Sequence, residues 1–329
     1  MRRQISIIDK ANRNKTKYNI LTFNAHERYQ TQLAKTGHNF YSFNHEEGKD
    51  WYEGHGAMPE NCYQLGKNNV PKIVFDMILS HSKFGKSADT TQYQLAQTIN
   101  DTLQIPLISL EHTLPIPHWP QEILNKLQSM RGDYNIFITN YSKEKWGMGG
   151  DVVEHSVDTN MFKPDYGVDR SKILTVAHDF IKRDYALNYQ GWERITKDLD
   201  RVVVGETEGL SSQSKSVEDL IKAYQNALVY INPSVLSPVP TSMLEAMSCG
   251  CAIVTTETCA IPDFIEHGVN GFISNDEEDL RSYCQQLLGD KALAAKMGAE
   301  ARKTIEEKFS EQEFITKWNN VFDRAYKGI

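Results

Sequence analysis

The sequence contains no apolar run of the roughly 18 residues that a membrane-crossing helix needs. Its first twenty residues, MRRQISIIDKANRNKTKYNI, begin basic but hold no apolar core, so no secretory leader is expected there. Cysteine is scarce: Cys62, Cys249, Cys251, Cys259 and Cys284 are all there are among 329 residues. The number is odd and no C-x-x-C pair occurs. That argues against a disulfide framework and for reduced thiols in a cytoplasmic protein. Three of the five cluster at 249, 251 and 259, a spacing that fits no zinc pattern; small residues packed in a strand region account for them better. An excess of positive charge is also missing. The net charge is −7, and residues 1–164 carry 18 basic and 17 acidic side chains against 18 and 26 in the remainder. The near-neutral first half offers no broad basic field for nucleic acid. The acidic second half must gather local cations if it is to hold an anion.

What is present is alternation. In the first half, strand-like runs at 18–23, 38–43, 72–82, 105–112 and 135–140 alternate with helical patterns at 26–37, 90–103 and 122–130. Residues 44–69 are polar and aromatic with no clear period, and read as a long loop with short elements. In the second half, strands at 172–177, 201–205 and 228–234 alternate with helices at 185–199 and 216–227, the latter opened by a Ser-x-x-Asp start. A helix SMLEAMSCG and a strand CAIVTT follow, and 311–326 reads as a last helix. Such alternation predicts parallel sheets covered by helices on both faces. Two α/β halves joined near 164–171 predict two doubly wound domains facing each other, with the ligand at the carboxyl ends of the strands.

The stretch SPVPTSMLEAMSCGCAIV, residues 237–254, carries one acid, Glu245, beside an expected helix start. Free amides at a helix N-terminus, with the helix dipole, favour an anion such as a phosphate. Ser242, Met243 and Leu244 would supply N–H groups, Ser242 also a hydroxyl, and the Glu245 carboxylate could accept both hydroxyls of a ribose. Equally, Glu245 could merely stabilise a helix N-terminus.

These residues resemble the donor-site signature of the GT-B glycosyltransferases, in particular the family 4-like group. There a loop opens with Glu, and a second Glu eight residues later precedes Ala-Met-x-x-Gly and a strand. The second Glu is Glu245, in LEAMSCGCAIVTT. Three further elements match in order: EHSVDTNMFKP (154–164), EDLIKAYQNALVYINPS (218–234) and AIPDFIEHGVNGFIS (260–274). The resemblance implies two facing Rossmann-like domains: 1–165 on the acceptor side, 166–310 binding a nucleotide-sugar donor, and 311–329 a helix returning to the first. It also implies sugar transfer with retention, in which the leaving phosphate takes the acceptor proton. The nucleotide-sugar would be substrate, with no separate cofactor. The one Asp-x-Asp, Asp198 and Asp200, precedes a strand, at its wrong end for the ligand, so no metal is expected.

Two departures stand out. Ser237 occupies the place of the first Glu, and Pro238-Val239-Pro240 replaces the glycine-rich turn, so nucleotide binding looks kept while the sugar pocket looks rebuilt. In the family an Arg and a Lys follow the first strand of the second domain. Here His178 takes the Arg position, and Lys182 and Arg183 supply positive charge for the diphosphate; otherwise they are solvated helix-start residues. His112 resembles the family's sugar-contacting His, with a packed strand-end residue as the plain alternative. His26 and Glu27 would lie on the acceptor side or simply start a helix. The 44–69 segment and the loops at 81–83 and 115–119 would shape the acceptor site. The wording of residues 24–43 resembles glycosyltransferases encoded by bacteriophages. That would place the protein in the host cytoplasm and allow a hydroxymethylated base in phage DNA as acceptor. A glycan or small molecule stands as the alternative acceptor. An inactive relic that only binds nucleotide, or an epimerase or phosphorylase on the same fold, stands as the alternative function.

Overall fold

The computed structural model describes residues 15–23, 27–43, 51–66, 72–82 and 91–328. They form two compact units, one running to Glu154 and resuming at Gln312, the other His155–Glu311.

In the first unit the chain runs β1 (Asn19–Thr22), α1 (Glu27–Ala34), β2 (Asn39–Phe43), β3 (Cys62–Leu65), β4 (Met77–Ser82), α2 (Thr91–Leu103), β5 (Leu107–Glu111), α3 (Gln121–Ser129), β6 (Tyr134–Phe137), α4 (Asn140–Trp146) and β7 (Asp151–Val152). The seven strands lie in the order β3-β2-β1-β4-β5-β6-β7, and every pairing is parallel. Neighbouring residues along a strand point to opposite faces, and the cores record it. Ile20, Leu79 and Ile108 join one cluster, whereas Leu21, Ile78 and Leu107 join the other. All six positions of β4 are buried, as in a parallel sheet covered on both faces.

The second unit holds β8 (Lys172–Val176), α5 (Asp184–Leu187), α6 (Tyr189–Ile195), β9 (Arg201–Val204), α7 (Val217–Asn226), β10 (Ala227–Asn232), α8 (Thr241–Ser248), β11 (Ala252–Thr255), β12 (Phe272–Ile273), α9 (Glu277–Gly289) and α10 (Lys291–Lys308). Its five strands are parallel, in the order β12-β11-β10-β8-β9. Ser216 caps α7 by accepting from the Asp219 amide, the local bond that its Ser-x-x-Asp start predicts. Helix α10 packs on the turn after α8 so tightly that a Cβ at Gly298 would collide with the Gly250 carbonyl.

The last helix, α11 (Glu311–Lys327), belongs to the first unit from Gln312 on. Phe314, Trp318, Val321, Phe322 and Ala325 recur every three or four residues, form one face, and are buried in the cluster containing Ile20 and Leu79.

Several expectations need correction. The helix expected over 185–199 is two short ones, α5 and α6. Asn188 between them sits in the left-handed region at φ 53°, which its short polar side chain tolerates, and its Oδ1 accepts from the Gly191 amide. The strand expected over 72–82 begins only at Met77, and its end carries His81 and Ser82 as strand residues rather than loop. The run 135–140 leaves the sheet after Phe137, because the Thr139 hydroxyl caps α4 by accepting from the Ser142 amide. The short elements expected within 44–69 are β3 and a 3-10 turn, Glu53–His55, and they agree with that reading. No helix among the described residues is long and apolar enough to cross a membrane.

Candidate functional site

In the second sheet the strand order reverses between β8 and β10. Ligands of open α/β sheets bind at such a switch point, beyond the carboxyl ends of the strands. Two segments leave the sheet there: residues 177–183 after β8, and 233–240 after β10.

The second of these is fixed from two sides. The amides of Val235 and Leu236 donate to the Ala186 carbonyl at 2.9 and 3.1 Å. The hydroxyls of Thr256 and Thr258 donate to the Ser234 carbonyl at 2.5 and 3.1 Å. Pro238 and Val239 are buried, and Ser237 is half-buried between them and Leu236. The loop ends at Pro240, which stays extended at ψ 111° and opens α8 with no side-chain cap. Helix α8 therefore starts at Thr241, and Glu245 lies in its second turn rather than at its start.

The hydroxyl of Ser242 ties α8 to the switch point. It donates to the Val176 carbonyl at the end of β8 (3.2 Å) and accepts from the Tyr230 hydroxyl (2.8 Å). The amides expected from Met243 and Leu244 are already turned back on the Pro240 carbonyl, at 3.0 and 3.3 Å, and both residues are fully buried. The donors that α8 leaves without an intrahelical acceptor are those of Thr241 and Ser242. Glu245 is 5% exposed, and its Oε2 accepts from the Tyr224 hydroxyl at 2.8 Å. Tyr224 was not legible as a partner. Its only signal is its place on the buried face of α7, with Val217 and Leu220.

The segment after β8 is anchored by Phe180, which is 1% exposed and packs against Trp192 and Tyr189. His178 Nδ1 accepts the Glu206 amide at 3.1 Å, so the ring proton of the neutral form sits on Nε2. Lys182 is exposed, and its ion pairs among the described residues are loose, 3.9 Å to Asp179 and 3.7 Å to Glu208. Exposed pairs of this kind contribute about 0–1 kcal/mol and leave the ammonium available to a better anion. Arg183 is exposed at the N-cap of α5.

Cys249 and Cys251 are fully buried in this unit, and all five cysteines are free. Burial pushes the Cys251 thiol up to about 12, which keeps it protonated and unreactive. Asp198 and Asp200 lie in the turn that precedes β9. Among the described residues no group of three or more His, Cys, Asp or Glu is arranged to hold a metal ion.

In the first unit His112 follows the last residue of β5 and is half-buried. The residues on either side of it are held by a buried ionic network. Glu111 Oε2 lies 2.5 Å from Arg131 Nη2, and its Oε1 accepts from the amide and hydroxyl of Thr113 at 2.9 and 2.8 Å. The guanidinium sits 4.5 Å from the Trp146 ring centre and 5.4 Å from that of Phe137. Such a pair is weak evidence of stability, but it fixes geometry because either partner alone would be a buried charge. Across from it, in β4, His81 Nδ1 meets His112 Nε2 at 3.0 Å. Glu27 opens α1, with its Oε2 3.1 Å from His55 Nδ1. His26, His45 and Lys83 lie outside the described residues.

Residues 210–304 match the family model described as Glycosyl transferases group 1. Among curated proteins, the N-acetyl-alpha-D-glucosaminyl L-malate synthase of Bacillus anthracis is 30% identical over 82 residues, 24% of this chain and 22% of that protein. An uncharacterized glycosyltransferase of Haemophilus influenzae is 23% identical over 175 residues, 47% of this chain and 49% of its own. The matched stretches thus span less than half of these relatives' lengths. Among solved structures, the sucrose-phosphate synthase of Thermosynechococcus elongatus superposes with a TM-score of 0.74 at 12% identity, covering 96% of this chain and all of that one. Anabaena HepE, in complex with UDP and glucose, superposes with a TM-score of 0.72 at 15% identity, covering 92% and 99%. The chain has the GT-B fold and carries, over residues 210–304, a domain of the group 1 glycosyl transferases.

Proposed function

We propose that this chain transfers a sugar from a nucleotide-sugar to an acceptor hydroxyl, with residues 166–310 as the donor side and 1–165 as the acceptor side. One observation carries the reading: Ser242 pins α8 over the end of β8, at the switch point, with Glu245 one turn further on and inside the matched domain. In this reading the Glu245 carboxylate accepts from the ribose hydroxyls. The Thr241 and Ser242 amides, with Lys182 and Arg183, face the diphosphate. Cations and dipoles there stabilise the charge that develops on the leaving group, which is the main electrostatic lever in such a transfer. His112 contacts the sugar. Transfer proceeds with retention and without a metal, the leaving phosphate taking the acceptor proton, so no side chain is an essential base. The protein works in the cytoplasm.

A UDP-linked hexose is the first donor to try, because Anabaena HepE was solved with UDP and glucose. A hydroxymethylated base in DNA heads the acceptor trials, followed by glycans and small molecules. The test is release of nucleoside diphosphate from a panel of nucleotide-sugars, with and without these acceptors. Turnover that rises with one acceptor supports transfer. The second reading, a nucleotide-binding relic, is favoured by Ser237 standing where the family has Glu and by the two prolines after it. Tight donor binding with neither transfer nor hydrolysis would establish it.

A further inference from the structure

His81 and His112 stand at the carboxyl ends of adjacent strands. The register pairs His81 with Leu110 and Ser82 with Glu111, and the Ser82 hydroxyl donates to the Leu110 carbonyl at 3.3 Å. Their ring planes are 9° apart, with centres 5.3 Å apart and Nδ1···Nε2 at 3.0 Å. That centre separation is about the hydrogen-bond length plus two ring radii. The rings therefore meet edge to edge, with the bond along the line of centres, which is the well-aligned arrangement. Tyr29 stands perpendicular to both, at 87° to His112 and 88° to His81, with its ring centre 4.9 Å from that of His112. Tyr29 is itself held by Trp318 of α11, whose indole N–H donates to the phenol oxygen at 3.1 Å.

Of two imidazole nitrogens at 3.0 Å, one must carry the proton and the other the lone pair; two N–H groups or two lone pairs would repel. The pair therefore behaves as one unit with a single shared proton position between the rings. Nε2 of His112 is committed to this bond, so any bond His112 makes elsewhere, to protein or to ligand, must use Nδ1. His81 is 1% exposed and sits within a strand, so it does not reorient to follow its partner.

We propose that His81 is a positioning residue for His112: it fixes the plane and orientation of the ring, so that Nδ1 is the nitrogen His112 offers elsewhere. Only the kinetic arm of the test rests on the functional reading above. In that arm UDP-glucose is the probe and UDP release is measured. His81→Phe keeps the ring volume without a nitrogen, while His81→Asn puts an amide near the former Nδ1. In the Phe variant kcat falls about three- to ten-fold, the scale of one net hydrogen bond, while KM changes little. The Asn variant recovers most of the loss. In the independent arm, long-range proton–nitrogen spectra of labelled protein report the His112 ring nitrogens. The native chain shows the His112 Nε2 signal displaced by its hydrogen bond, the Phe variant moves that signal away from its native position, and the Asn variant returns it toward that position. An unchanged His112 signature in the Phe variant would overturn the proposal. If the native chain turns over no nucleotide-sugar of the panel, the functional reading is what fails, and the spectra alone decide the positioning role. Should the Phe variant not fold, His81→Gln, with its amide at the Nε2 distance, serves as the loss variant.

Discussion

At the scale of single residues, Glu245 and its partner decide most. Replacing Glu245 with Ala removes an acceptor from a buried site and is expected to weaken nucleoside diphosphate binding about ten-fold or more, by calorimetry, since hydrogen bonds to charged groups contribute about 1.5–3 kcal/mol. Tyr224→Phe removes the internal bond to Glu245 and should leave that affinity within about three-fold; equal losses in both variants would mean that Glu245 acts through packing alone. Lys182→Ala and Arg183→Ala should each weaken binding, and the difference from the native protein should shrink as salt rises, because these side chains are exposed and screened. Salt-independent losses would contradict a charge role. Glu245 was legible in the sequence as an acid followed by small residues and a strand. Its true depth in the helix was not, because Pro240 rather than a Ser or Asp cap sets where α8 begins.

At the scale of elements, strand identity was legible wherever apolar runs were long enough to be buried on both faces, as in β4, β5 and β10. It was not legible in β3. Only Cys62 and Leu65 of its four residues are buried there, and Tyr63 is 41% exposed, so the strand shows no apolar run. The α5–α6 break was missed for a different reason: a single left-handed Asn outweighs the periodicity on either side of it. The same logic makes α11 testable. Trp318 is fully buried and Phe322 stacks beside it at 5.1 Å between ring centres. Trp318→Ala should cost about 3–5 kcal/mol by the usual penalty for truncating a buried aromatic, read as a shifted denaturant midpoint. A loss under about 1 kcal/mol would show that the helix does not carry the first core.

At the scale of the whole molecule, acid stability follows from buried histidine. Burial holds His155 down at about 4, against 6.5 for the free side chain. Above pH 6.5 both folded and unfolded forms are neutral, so nothing is lost. Between 6.5 and 4 the unfolded chain binds a proton that the folded chain refuses, so stability falls as pH falls, by roughly 3 kcal/mol over that window. Urea midpoints should drop from pH 7 to pH 4.5, and His155→Asn should flatten part of that drop; an identical slope in the variant would remove His155 as its source. Fold and family were legible together, because alternating strands set the architecture and the match at 210–304 falls on the stretch that carries Glu245. The acceptor was not legible, since the segments expected to shape its site carry no period or motif. The central claim, that this chain binds a nucleotide-sugar through α8 and Glu245, is tested most directly by one panel. Thermal midpoints would be measured for the native protein and Glu245→Ala against nucleoside diphosphates and nucleotide-sugars. A ligand that binds only the folded state raises the midpoint. The account predicts a clear rise with one nucleotide and its sugar conjugate in the native protein, and a much smaller rise in the variant. No rise with any of them, or an equal rise in both proteins, would contradict it.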